Sequence, residues 1–404
     1  MQQVAEGYVR LVLAVGQHDS TYVDAYYGPV EWQREAQARH QPLDELTVEA
    51  GALLERLDRT LVGADPEQVS RSVFLRGQLS AVRARAEQLA GRQFTFDEES
   101  AAFYDAVAPA HPESYFEETL GELERLLPGG GPLIERLDAF REAFIIPRDR
   151  LAPVFEAAIA ESRRQTHARV DLPDDERFSV EYVTNKPWSG YNWYKGGCQS
   201  VIQVNTDLPI YIDRAVDLAA HEGYPGHHLF NLLLEQHLVR ERGWLEFTVY
   251  PLFSPESLLA EGTANFGIEV VFPGESRVRF DRDVLMPLAG LPTREADRYD
   301  AVMGVVARLS YAGNEAARRY LDGFADRSET AVWLTRFALM SPPRAEQRTR
   351  FIDTFRSYVI NYNLGQDLVR AFIEARGGTA DAPERRWQEF LALLRSPRLP
   401  STLQ

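Results

Sequence analysis

Between residues 65 and 90 the apolar side chains Leu75, Leu79, Val82, Ala86 and Leu89 recur every three or four positions. That is the spacing of one face of an α-helix. Asp65 followed by Pro66 suits an N-cap and a first helical residue, and Gly91 suits the stop. The pattern returns after Pro132, with Leu133, Leu137, Phe140 and Phe144 on one face. Beyond residue 250 it predicts a helix opening at Ser254-Pro255 and others near 293–323, 328–340 and 344–376. Helical spacing gives way to alternation only after about residue 175. Phe178, Val180 and Tyr182 alternate with polar residues, Pro187-Trp188-Ser189-Gly190 and Gly196-Gly197 read as turns, and Ser200–Asn205 favours a strand. A chain patterned in this way predicts a mainly α, multi-helix fold with a small β-hairpin or meander. That β element lies beside a helix running from about Asp207-Pro209 to Tyr224.

Composition removes several classes of function. The 404 residues carry 44 Lys plus Arg against 60 Asp plus Glu, a formal charge of −16. Nucleic-acid binding needs a basic footprint, so no nucleic-acid partner is expected. No apolar run reaches the roughly 18 residues that span a bilayer, so no membrane partner is expected either. The first twenty residues lack the basic start and small-residue cleavage site of a signal peptide, which predicts a cytoplasmic protein. Cys198 is the single cysteine, which excludes an internal disulfide and a cysteine-based metal cluster.

Three of the eight histidines fall in one window, His221-Glu222-Gly223-Tyr224-Pro225-Gly226-His227-His228. Ligand, base, ligand is the order found in zinc peptidases, where neutral imidazoles hold the metal and the neighbouring carboxylate is the general base. The usual spacing is four residues, about 40° of rotation on a regular helix. His227 is six residues on, about 120° off that face, and His228 is seven on, nearly in line but roughly 10 Å along the axis. Pro225 lacks the N–H that would bond the His221 carbonyl, and Gly226 follows it, so the helix must break or bulge over Gly223–Gly226. A bulge brings one of the later histidines back beside His221, and spacing alone leaves His227 and His228 both open. The window also fits a helix C-terminus whose histidines suit the negative end of the dipole.

A third ligand is required. In Ser254–Glu269 the residue Glu261 follows Leu258-Leu259-Ala260 and precedes the small residues Gly262 and Ala264. A carboxylate in such surroundings points inward and calls for a cation. Glu269, two turns on, is placed to orient a ligand histidine from behind.

HEGYPGHH followed by AEGTANFGIE resembles the large bacterial domain-of-unknown-function family 885, whose members look like zinc peptidases of the glutamate-zincin type. The resemblance covers roughly residues 180–320. It implies one zinc per chain on His221, His227 and Glu261, with Glu222 as base, and it favours His227 over His228, which is left behind the ligand set. Tyr311, in Leu309-Ser310-Tyr311-Ala312-Gly313, resembles the family's later Ser-Tyr segment. The chain departs from the pattern at Phe230, Thr263 and Asn265-Phe266, positions that bear on substrate class.

Zinc hydrolysis needs a second donor for the developing oxyanion. Tyr311, Tyr358 and Tyr362 lie on C-terminal helices that return toward the site. Arg318 carries the forked guanidinium that binds a substrate carboxylate. Ile202, Val204 and Asn205 lie on a strand that, at a sheet edge, pairs with an extended peptide. These residues lead us to expect a helical region over 1–175 and a catalytic region over 176–404, joined as one continuous fold. The expected function is a zinc-dependent metallopeptidase with a peptide substrate. The alternatives are a zinc hydrolase of non-peptide amides or esters, or a non-catalytic metal-stabilised protein, which would have no use for Glu222.

Overall fold

Asp65 caps a helix, as its place before Pro66 predicts. In the computed structural model its carboxylate accepts the backbone N–H of Gln68 at 2.8 Å, and the helix runs over Pro66–Leu89. Ser254 opens the helix Pro255–Val271 in the same manner, through the N–H of Ser257. The structure describes residues 1–59, 65–186 and 188–403, so Pro187 of the expected turn lies outside the described residues. The fold is mainly α-helical with two small sheets. No helix among the described residues is long and apolar enough to cross a membrane.

The first sheet joins β1 (Val23–Tyr26) to a later strand, β5 (Val249–Pro251), in antiparallel register. No local pattern announced this pairing, because its partners lie more than two hundred residues apart. Between them in sequence come β2 (Arg177–Val183), β3 (Gly190–Gly196) and β4 (Gln199–Asn205), in the order β2-β4-β3. The β3–β4 hairpin is antiparallel and turns through Gly196, Gly197 and Cys198, all at positive φ. β2 crosses to the far side of β4 and runs parallel to it, so the sheet is not a meander. This corrects the reading of Ile202, Val204 and Asn205 as a peptide-pairing edge. β4 is the inner strand, with both backbone edges already bonded. Ile202 and Val204 face the core, and the Asn205 amide holds the carbonyls of Lys186 and Trp188. The free edges belong to β2 and β3.

The helix expected to reach Tyr224 starts at Ile212 and is regular only to Leu218. A wide π-turn follows over Ala219–Gly223, Tyr224 is extended, the Tyr224–Pro225 bond is cis, and a new helix runs over His227–Leu234. Gly226 makes this passage possible. A β-carbon there would sit 1.9 Å from the His221 carbonyl oxygen, a distance no side chain tolerates.

The helices expected over 293–323 and 344–376 are each divided. The first splits into Ala296–Ala307 and Ala312–Leu321, around a tight turn at Arg308–Tyr311. The second splits into Pro342–Phe355 and Ile360–Glu374, with Arg356 at φ 52° between them. The second break has a visible cause. Glu99, fully buried on the helix Phe96–Tyr104, accepts the Ser357 N–H at 3.0 Å and the Ser357 hydroxyl at 2.6 Å, and pairs with Arg356. A side-chain carboxylate thus replaces the next rung of the backbone ladder.

Two large apolar cores fill the molecule. One surrounds the His227–Leu234 helix and draws on residues from Phe74 to Leu403. The other joins Tyr8, Val9 and Val12 of the helix Gln2–Val15 to Phe253, Leu258, Ile360 and Leu364. Each draws on residues from both sides of residue 175. The helices Pro255–Val271 and Ile360–Glu374 cross in close contact at Gly262 and Gly365. A β-carbon on Gly262 would lie 2.4 Å from the Gly365 carbonyl group, and one on Gly365 would lie 2.7 Å from the Leu258 oxygen. This crossing lays the start of the later helix over Glu261.

Candidate metal centre

The π-turn and the break at Pro225-Gly226 bring His221 and His227 together. Their Nε2 atoms are 3.1 Å apart, and Glu261 Oε2 lies 3.3 Å from the first and 3.8 Å from the second. Four ligands about 2.0–2.1 Å from a tetrahedral zinc stand about 3.3 Å from one another. The three atoms therefore already lie near three corners of such a site, and the donor set fits zinc. Glu261 Oε2 is buried with no donor aligned on it. Its other oxygen accepts the Tyr358 hydroxyl at 2.8 Å, which turns the carboxylate toward the histidines.

Asn265 orients His221. Its amide nitrogen donates to the Tyr362 carbonyl at 2.8 Å, so its oxygen must be the atom 2.9 Å from His221 Nδ1. His221 then carries its proton on Nδ1 and presents the Nε2 lone pair to the centre. Three lone pairs facing one another call for a cation. In the metal-free chain a proton takes that place. Burial opposes a charge on His221, but the Glu261 carboxylate, with Glu222 nearby, pushes it up to about 9. Burial likewise opposes the Glu261 charge, but the neighbouring imidazoles of His221 and His227 hold that carboxyl far below the usual range.

Glu222 follows His221 on the same turn. Its carboxylate lies against Gly190 of β3, where a β-carbon would come within 2.9 Å of Oε1. It forms no hydrogen bond or ion pair among the described residues, while its backbone carbonyl accepts the Asn192 amide at 2.6 Å. An uncommitted carboxylate beside a ligand is free to take a proton.

The other sequence candidates separate in space. Tyr358 is occupied in orienting Glu261. The Tyr362 hydroxyl lies within electrostatic reach of Glu261 and Glu222 and forms no hydrogen bond among the described residues, so it is the available donor. Tyr311 is not: it donates to Asp367 at 2.7 Å and packs against His111 in a separate small cluster. Arg318 is not free either, since Glu315, Asp97 and the Ala108 carbonyl take its guanidinium. Glu269 pairs with Arg370 and Gln366 and does not orient His221, a role that Asn265 fills.

His228 points away from the ligands into a sealed polar cluster. Its Nδ1 meets the Ser200 hydroxyl and its Nε2 meets Glu176 Oε1, both at 2.8 Å. Glu176 also accepts from the Tyr224 hydroxyl and from Arg163. Burial opposes its charge, but these donors, His228 foremost, pull its carboxyl down to about 2. The cluster pins the residues on either side of Pro225-Gly226 to β4 and to the helix Leu151–His167.

Two further site residues had a weak signal or none. Asn265 lies four residues after Glu261, hence on the same helical face, a spacing that could have flagged it. Asp24 on β1 is bonded by the Tyr191 hydroxyl. Burial, against the charge of His227 and with those of Glu261 and Glu222, pushes its carboxyl up to about 7. Its place depends wholly on the β1–β5 pairing.

No family model and no curated protein matches the chain. Among solved structures, a candidate lipoprotein from Colwellia psychrerythraea is similar over 93% of this chain and 71% of its own, with 14% identity and a TM-score of 0.53. An M32 carboxypeptidase from Deinococcus radiodurans covers 98% and 89%, with 15% identity and a TM-score of 0.45. A candidate lipoprotein of unknown function from Shewanella oneidensis covers 90% and 76%, with 12% identity and the same score. The first likeness concerns the fold alone.

Proposed function

We propose that the protein is a zinc-dependent hydrolase, and specifically a metallopeptidase, with His221, His227 and Glu261 as ligands. One observation carries this reading. Three ligand atoms converge at tetrahedral-edge separations, beside a glutamate that nothing else engages. When bound, zinc supplies Lewis acidity toward a water and a substrate carbonyl. Glu222 takes the water's proton and returns it to the leaving amine. The Tyr362 hydroxyl donates to the oxygen on which charge develops. Asn265 and Tyr358 hold His221 and Glu261 in the orientation the site needs. A purely structural zinc site is closed by four protein ligands, and a free Glu222 beside three ligands favours chemistry.

The test has two parts. Metal analysis of purified protein should find about one zinc per chain, lost in His221→Ala, His227→Ala and Glu261→Ala but kept in His228→Ala. A peptide library incubated with the zinc-loaded protein should be cut, and a chelator should stop the cutting. Zinc retained in His227→Ala and lost in His228→Ala would refute the ligand set. A zinc-loaded protein that cuts esters or small amides but no peptide would refute the substrate class.

A further inference from the structure

Arg348 lies on the helix Pro342–Phe355, with its guanidinium 4.7 Å from the Phe351 ring centroid and 5.8 Å from that of Tyr362. Among the described residues no carboxylate stands within ion-pair distance of it, and its Nε is buried without an acceptor. Nη2 turns toward Gly313, where a β-carbon would still be 4.0 Å away. Two other arginines withdrawn from solvent, on different helices, are matched. Arg71 meets Glu246 at 2.6 Å, and Arg318 meets Asp97 at 3.1 Å. A guanidinium withdrawn from water without an anion is costly, and burial pulls Arg348 below its ordinary value. Two aromatic faces offset part of that cost but leave the donor fork unused.

Its position gives the unused fork a meaning. The Tyr362 hydroxyl lies within electrostatic reach of Glu261, Glu222 and Arg348 at once. Arg348 and Tyr362 are largely buried but each keeps part of its surface open, so a ligand can reach them. Asp24, Glu222 and Glu261 place three carboxyl groups at the centre, which disfavour an anionic group there. One tyrosine away stands a cation in want of one. Consecutive residues of a peptide are 3.8 Å apart, so a terminal carboxylate one or two residues beyond a cleaved bond lies about 4–8 Å from it.

We propose that Arg348 binds the free C-terminal carboxylate of the substrate, so that the protein trims peptides from their C-terminal end. This rests on the metallopeptidase reading of the same site. In the reaction the C–N bond breaks, water gives its hydroxyl to the carbonyl carbon, and its proton leaves on the amine of the released residue or dipeptide. The guanidinium fork meets both oxygens of a carboxylate, whereas an amide has one acceptor and no charge.

The experiment uses zinc-loaded Glu222→Gln protein with and without Arg348→Gln. The probe is a set of N-acetyl tripeptides randomised at the last two positions, supplied as free acids and as C-terminal amides. Calorimetry should find the acids bound at least about tenfold more tightly than the amides. Arg348→Gln should erase that difference, and Arg348→Lys should keep part of it. Thermal unfolding of each variant controls for folding. Equal binding of acids and amides, a preference that survives Arg348→Gln, or no binding of either set overturns the proposal. If the parent protein cuts acids and amides alike, the peptidase reading stands and this one falls. If acids bind through Arg348 but no peptide is cut, the carboxylate site stands and the peptidase reading falls.

Discussion

Asn265 shows how much one neutral side chain can decide. It fixes the tautomer of His221 and is itself fixed by the Tyr362 carbonyl. Asn265→Ala should weaken zinc affinity about 10–100-fold, measured by competition with a chromophoric chelator, and Asn265→Asp should recover much of the loss. Glu222→Gln should keep the zinc and lower kcat for peptide hydrolysis about 10²–10⁴-fold, because an amide cannot accept the water's proton. An equally active variant would remove Glu222 as the base. Glu176 makes a pH prediction. Its folded value of about 2 lies below the ordinary value of 4.5, so its contribution is full above pH 4.5 and is lost as pH falls toward 2. Linkage puts it on the order of 3 kcal/mol. The stability gap between the parent protein and Glu176→Gln, read from urea unfolding, should therefore shrink over that range. His221, Glu222, His227 and Glu261 were legible because their chemistry lies in two short windows with apolar flanks. Asp24 and Arg348 were not, because nothing around them in sequence says what they will face.

Among the elements, breaks matter more than helices. The interruption at Pro225-Gly226 was legible, since a missing N–H and a missing β-carbon are local facts. The interruption at Arg356 was not, because Glu99 imposes it from more than 250 residues away. The β2-β4-β3 order also escaped notice, because strand propensity does not choose a neighbour. The crossing at Gly262 and Gly365 is the element contact on which the centre most depends. A methyl group there has only backbone to displace, so Gly365→Ala should cost about 1–3 kcal/mol through overpacking. By parting the two helices it should also lift Tyr358 from Glu261. Differential scanning calorimetry and zinc affinity should fall together. A fall in stability with unchanged affinity would show that the crossing does not position the ligand.

For the molecule as a whole, the division at residue 175 marks a change of texture and not a seam. The N-terminal side supplies Asp24 to the site, Glu99 to the turn that presents Tyr358, and Arg163 to the cluster behind His228. Both cores cross the division. Residues 176–404 expressed alone should therefore lack a sharp near-ultraviolet dichroism spectrum and should bind zinc at least tenfold more weakly than the whole chain. A well-folded, zinc-binding fragment would contradict this account of the cores.

The helix Ile360–Glu374 lies over Glu261, and the turn before it holds Tyr358. On the ribosome, His221, His227 and Glu261 are all made about a hundred residues or more before that helix appears. Until it does, Glu261 has no Tyr358 to turn it, and Asn265 has no Tyr362 carbonyl to fix its amide. The centre is therefore completed late in synthesis, together with the last pieces of both cores. A chain cut short before Ser357 would therefore carry all three ligands and Glu222 yet lack the groups that orient them.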